Sequence, residues 1–212
     1  MRSIKSLFGM LIVASLLSGC SSVKVTDSWR GLKTLDIKEK NILVVSKTKN
    51  KTTRMRFEKD LVQNLNKNGF QAVEAHVKFP LSDPLKEVKN EEIDQVIENL
   101  WDQCIDIVIV SHLVDSKEYT TTVSNGDSYY SDPFSYRYRR YRSFYGYQGF
   151  YSNHNTVEIK GTKYIVETLV YDLAKPKNEQ LLTIITLEVD NPSTLGSVSK
   201  DFSNSIVKRL VK

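Results

Sequence analysis

The side chains able to do chemistry in this 212-residue chain are three histidines, two cysteines and one tyrosine–arginine segment. His76, His112 and His154 stand far apart, and none lies i, i+4 from another ligand. No HExxH, GxSxG, GxGxxG or Walker-type sequence occurs, so no hydrolytic, dinucleotide or phosphate-binding machinery is written in a local motif. A metal would need ligands gathered from distant parts of the chain. His112, beside a strand, reads as a packed or edge histidine. The acidic residues are scattered over helix faces, with Glu91 and Glu92 serving a helix N-terminus. Cys104 closes an apolar helical stripe and reads as a buried, inert thiol. The expectation is a protein that is not an enzyme and carries no cofactor or metal.

One segment has an unusual composition. Residues 129–151 hold eight of the eleven tyrosines, together with Phe134, Phe144 and Phe150. Arg137, Arg139, Arg140 and Arg142 interleave with Tyr136, Tyr138 and Tyr141, and Tyr145, Tyr147 and Tyr151 follow. A long hairpin tip of biased composition is the plainest reading. A recognition surface is the functional one: tyrosine offers area at low entropic cost, and arginine adds cation–π and anion contacts. An envelope protein, a glycan or anionic lipid would suit such a surface. Stacking plus charge also suits single-stranded nucleic acid, but the address of the chain argues against a nucleic-acid partner.

That address is set by the first twenty residues, MRSIKSLFGMLIVASLLSGC. Arg2 and Lys5 precede an apolar stretch from Leu7 to Leu17, too short to span a bilayer and suited to a signal-peptide core. It ends in Leu17-Ser18-Gly19-Cys20, which resembles the lipobox of bacterial lipoproteins. The resemblance implies cleavage before Cys20 and acylation of its thiol and new amine, palmitate being a typical chain. Two or more acyl chains anchor stably. Ser21 and Ser22, with no aspartate in second position, point to the outer membrane facing the periplasm. Residues 1–19 are then a signal peptide, 20–39 the lipidated cysteine and a tether, and 40–212 the folded domain, with an insertion at about 124–155. Trp29, the large aromatic of the tether, is expected to pack on the domain.

The elements that position these residues follow from periodicity. Asn41–Val45 is a continuous apolar run, as in a strand covered on both faces. Residues 52–68 place Phe57, Leu61, Val62 and Leu65 on one helical face, with Gly69 at the C-terminal cap. A strand is expected from Phe70 to Ala75, and a helix over 91–104 behind an Asn90 N-cap. That helix carries Ile93, Val96, Ile97, Leu100, Trp101 and Cys104 on its apolar stripe. Ile105–Val110 begins a central strand extending through 123. Residues 156–173 and 179–190 alternate as antiparallel strands, and a helix over 194–211 turns Leu195, Val198, Phe202, Ile206 and Leu210 inward. The predicted fold is α/β (α+β): a single domain in the order β-α-β-α-β-β-β-α, a mixed sheet packed with helices.

Thr26-Asp27-Ser28-Trp29, Ile42-Leu43-Val44-Val45, Arg56-Phe57-Glu58 and Gly69 together resemble a group of small bacterial lipoproteins of unknown function with a tyrosine-rich insertion. The element order is also similar to curli-secretion lipoproteins, lipoprotein activators of penicillin-binding proteins, and the amino-terminal domain of the Tol–Pal propeller protein. The lipobox, the lack of a catalytic motif and the aromatic–arginine segment together lead to the expectation of a non-enzymatic, membrane-anchored binding or accessory module for another envelope protein. A peptidoglycan- or carbohydrate-binding lipoprotein is the alternative. Loss of residues 1–19 would lower the formal charge from +5 by Arg2 and Lys5, leaving a near-balanced chain whose basic character is largely local.

Overall fold

The computed structural model describes residues 22–31, 37–83, 85, 92–124, 156–192 and 194–211. These form two compact units, one up to Lys117 and from Thr162 onward, the other Glu118–Gly161. The first is a single α/β domain on a six-stranded mixed sheet of order β1-β6-β5-β4-β2-β3. The strands are β1 (Val23–Arg30), β2 (Asn41–Lys47), β3 (Gln71–Glu74), β4 (Ile107–Ser124), β5 (Thr156–Asp172) and β6 (Leu181–Asp190), of which β4 after Lys117 and β5 before Thr162 belong to the second unit. The helices are α1 (Lys51–Lys67), the single-turn α2 (Ala75–Lys78), α3 (Ile93–Asp102) and α4 (Leu195–Leu210). β2 runs parallel to β3 and β4, whereas β6 is antiparallel to β1 and β5. The expected mixed α/β sheet is present, enlarged by β1 and α2.

One face of the sheet carries the main core. Ile42, Val44, Ile107, Ile109, Val170, Ile185 and Leu187 lie beneath α1 and α4, all of them essentially inaccessible. The helices supply Leu61 and Leu65 from α1 and Phe202, Ile206 and Leu210 from α4, as their spacing predicts. The rings of Phe57 and Phe202 meet edge to face, their centroids 5.0 Å apart. The small buried Ser199 and Ser203 let the helices approach, and the Ser199 hydroxyl donates to the Arg56 carbonyl. On the opposite face α2 and α3 pack on Leu43 and Val108, with Val45 and Val110 only partly buried, so this side of the sheet is thinly clad.

The helices α1 and α3 stop in the same way. After α1, Gly69 N–H donates to Asn66 and Phe70 N–H to Leu65; after α3, Cys104 N–H donates to Trp101 and Ile105 N–H to Leu100. Both pairs are Schellman bonds, which require a left-handed residue just past the cap. Gly69 takes that role at φ +83° and Cys104 at φ +57°. The expectation of a buried Cys104 is therefore corrected: α3 ends at Asp102, and Cys104 is exposed in the turn beyond it. The stripe is narrower than predicted too, since Ile97 is buried while Val96 and Trp101 stay substantially exposed. The described part of this helix begins at Ile93 with Glu92 as the cap, which offers no side-chain bond; Asn90 and Glu91 lie outside the described residues.

A second correction concerns the tether. Val23–Arg30 is an edge strand in register with β6, from Val23 opposite Val189 to Arg30 opposite Thr183. Val23 is buried, Val25 packs on the same core, and Ile37 is fully enclosed. The Arg30 guanidinium donates to the Arg209 carbonyl at 2.6 Å, satisfying an orphan acceptor at the end of α4. Trp29, opposite Ile184 on this edge strand, is held to the domain with its side chain 51% exposed. The bulge between Val25 and Asp27 interrupts pairing at the open edge, a device that discourages association there.

The second unit contains the ends of β4 and β5. Tyr119 lies over Gly161, where a Cβ would come within 2.5 Å of the phenol ring. Among the described residues no helix is long and apolar enough to cross a membrane.

Candidate functional site

α1 continues its inward stripe with two charged residues. Arg54 and Glu58 precede Leu61 and Leu65 at helical spacing, so they face the sheet. Glu58 is fully buried, and each carboxylate oxygen has two donors. Oε1 accepts from the Ser46 backbone N–H at 3.0 Å and from Arg54 Nε at 3.1 Å. Oε2 accepts from the His76 backbone N–H at 2.8 Å and faces His76 Nδ1 at 2.7 Å. Because a carboxylate only accepts, Nδ1 is the protonated ring nitrogen. The arrangement joins α1, β2 and α2 through one carboxylate. With its lone pairs engaged, Glu58 is built as a tie, not as a proton acceptor for a substrate.

Beside this tie opens a cavity of about 450 Å³ at the carboxyl end of β2. The parallel register sets Ser46 beside Ser111 and Lys47 beside His112. Its walls are chiefly apolar: Phe57, Val166, Val189, Leu195, Val198 and Phe202. Ser111 Oγ and Thr168 Oγ1 lie 2.9 Å apart in the buried wall and satisfy each other. The two flanking helices are capped here, Asn50 accepting from Thr53 N–H and Thr194 from Ser197 N–H. An apolar hollow with a few polar groups at one end suits a ligand with a hydrocarbon part and a polar head.

The thinly covered face holds a wider groove of about 980 Å³, lined by Leu43, Val45, Val108, Val110, Leu169 and Tyr171. Burial in this groove pushes the Tyr171 phenol above its ordinary value. His112 Nε2 is 4.0 Å from Glu167 Oε2, beyond hydrogen-bond reach, with both side chains about one-third exposed. Among the described residues no group of three or more metal-ligating side chains converges.

Cys20, His154 and the surface residues Tyr136, Arg137, Tyr138, Arg139, Arg140, Tyr141, Arg142, Tyr145, Tyr147 and Tyr151 lie outside the described residues. Sequence reasoning missed the Glu58 tie. Its signal was the i, i+4 pair Arg54–Glu58 standing on the apolar stripe of α1 instead of its polar face.

Neither a protein-family model nor a curated protein sequence matches the chain. Among solved structures it is similar to a single-substitution variant of the PelC dodecamer from Paraburkholderia phytofirmans, with 13% identity over 89% of this chain and 97% of that one, at a TM-score of 0.44. A second PelC dodecamer from the same organism gives 12% identity, 89% and 95% coverage and a TM-score of 0.43. The lipoprotein GNA1162 from Neisseria meningitidis gives 12% identity, 81% and 98% coverage and a TM-score of 0.41. Likenesses at this level carry no function from those proteins to this chain.

Proposed function

We propose that the chain is an envelope lipoprotein, acylated at Cys20 and held on the periplasmic face of the outer membrane, that acts as a non-enzymatic binding module for another envelope component. The observation that carries the binding role is the apolar cavity beside β2, whose buried neighbouring carboxylate is fully engaged in structure. Such a cavity, apolar over most of its lining with Lys47 and His112 among its few polar groups, suits holding a partner or ligand. The lipobox-like sequence supports the anchor, and the tyrosine–arginine segment supplies a second contact surface suited to an envelope protein or, in the alternative reading, a glycan.

In-cell crosslinking with mass spectrometry tests the reading. Wild-type protein should take up an alkyne-tagged fatty acid that Cys20→Ala does not, and should crosslink to an envelope protein. Replacing residues 127–153 with a short linker should leave folding intact and abolish that crosslink. Absence of acylation would refute the anchor, and unchanged capture would remove the segment from the site. Sedimentation with purified sacculi in place of protein capture would favour the glycan-binding alternative.

A further inference from the structure

The cavity beside β2 and Ser22, the first described residue after Cys20 in sequence, lie at the same end of the domain. Ser22 accepts a hydrogen bond from the Asp190 N–H at 2.9 Å, and Val23 pairs with Val189. Val189 is itself a wall of the cavity, and Pro192, two residues beyond Asp190, lines its rim. Cys20 is two residues before Ser22, so its Cα can be no more than about 7 Å from that of Ser22 along the chain. If Cys20 is acylated, the anchored residue stands only two positions before Ser22 in the chain. A domain anchored there would bring this end to the lipid headgroups.

The same end is basic. Lys47 and Thr48 line the cavity, and Thr48 also lines the adjoining hollow that holds Lys49 and Lys51. Among the described residues none of these three lysines has a carboxylate partner, whereas Arg54 is committed to Glu58 and Lys163 to Glu188 and Asp190. Unpaired lysines near a bilayer attract anionic headgroups. The cavity behind them has apolar walls and a volume within the usual range for ligand sites, about 300–1,000 Å³.

We infer that this cavity is a membrane-facing lipid site that takes one acyl chain of an anionic phospholipid, with the headgroup held at Lys47, Lys49 and Lys51. The hydrocarbon chain lies among Phe57, Val189, Leu195, Val198 and Phe202. Leu195 lines the cavity and is 38% exposed, so a larger side chain there would occupy its space from the solvent side. The inference rests on the proposed acylation of Cys20 for its orientation, and on the cavity itself for its chemistry.

The test uses the full chain purified from membranes and reconstituted into vesicles containing phosphatidylglycerol with a diazirine on one acyl chain. Light should place lipid adducts on peptides spanning residues 189–202. The yield should be about fivefold higher than with the matching phosphatidylcholine probe, as a lysine–anionic lipid contact implies. Leu195→Trp, at a partly exposed position that does not endanger folding, should cut the adduct about tenfold, and Lys47→Gln with Lys49→Gln should remove the headgroup preference. Adducts confined to other peptides, or unchanged in Leu195→Trp, would overturn the site. Labelling that appears only in Cys20→Ala would mean that the chain's own acyl group fills the cavity, which also overturns it. Intact mass on the same sample reads acylation separately: an unmodified mass sinks the anchor, while the adduct pattern still decides the cavity.

Discussion

His76 holds the Glu58 carboxylate with two donors, its backbone N–H at 2.8 Å and its ring Nδ1 at 2.7 Å. The two residues sit on different helices, α2 and α1, and Glu58 also takes the Ser46 N–H of β2. A fully buried charge is tolerable only when every lone pair is met, and here four donors meet it. The tie fixes the end of β2, where the cavity opens.

Glu58→Gln therefore destabilises the domain by about 3 kcal/mol, because the amide group would turn N–H donors toward donors already in place. Arg54→Met also leaves the buried carboxylate without its cation and one donor short, and should cost a similar amount, about 3 kcal/mol. Urea denaturation of the two variants measures both losses. A clearly smaller loss for Arg54→Met would mean that the donors from Ser46 and His76 alone hold the charge.

Cys104 occupies a left-handed position without being glycine. Cys104→Gly is expected to stabilise by about 1 kcal/mol, because glycine adopts positive φ without steric cost. Gly69→Ala should lose about the same amount through conformation alone, since a Cβ there meets nothing within 4 Å. The exposed Cys104 thiol should react with a disulfide reagent in the native state at the rate of a free thiol. Protection until unfolding would restore the buried reading.

The repeating apolar patterns made most of the fold legible. β2, α1, β4, β5, β6 and α4 all follow runs or stripes whose period matches their structure. β1 escaped because an edge strand buries only Val23 and part of Val25, and its remaining residues read as polar loop. The single-turn α2 is too short to show a period. Cys104 was misread because the stripe of α3 continues numerically past the point where the chain turns left-handed. The Glu58 tie was the hardest part to see: its donors come from Ser46 and His76, on two other elements, and spacing along one helix cannot reveal that convergence.

Tyr171 predicts a pH dependence. Burial disfavours its phenolate, so the folded-state value stands above the unfolded one of about 10. The folded state thus keeps its proton longer, and the stability linked to this group is fully present below about pH 10 and is lost as pH rises through the folded-state value. Urea midpoints measured from about pH 9 to 11 should fall more steeply for wild type than for Tyr171→Phe. Parallel slopes would place the phenol in ordinary solvent and open the groove around Leu43 and Val108 wider than its geometry indicates.

Ser111 and Thr168 pair across β4 and β5 at 2.9 Å, Ser111 in the cavity wall and Thr168 fully buried. Ser111→Ala strands the Thr168 hydroxyl and should cost about 1–3 kcal/mol. Thr168→Val costs less, since a water in the cavity can reach the serine it leaves. The double variant removes both partners and should recover most of the loss, with a coupling energy of about 1–2 kcal/mol. An additive pair of losses would show that neither hydroxyl depends on the other. The double variant also makes the cavity more apolar without enlarging it greatly, so it should retain or strengthen acyl-chain labelling, in contrast to the loss expected for Leu195→Trp. Loss of labelling in the double variant would assign the ligand's recognition to the serine end instead of the hydrocarbon walls.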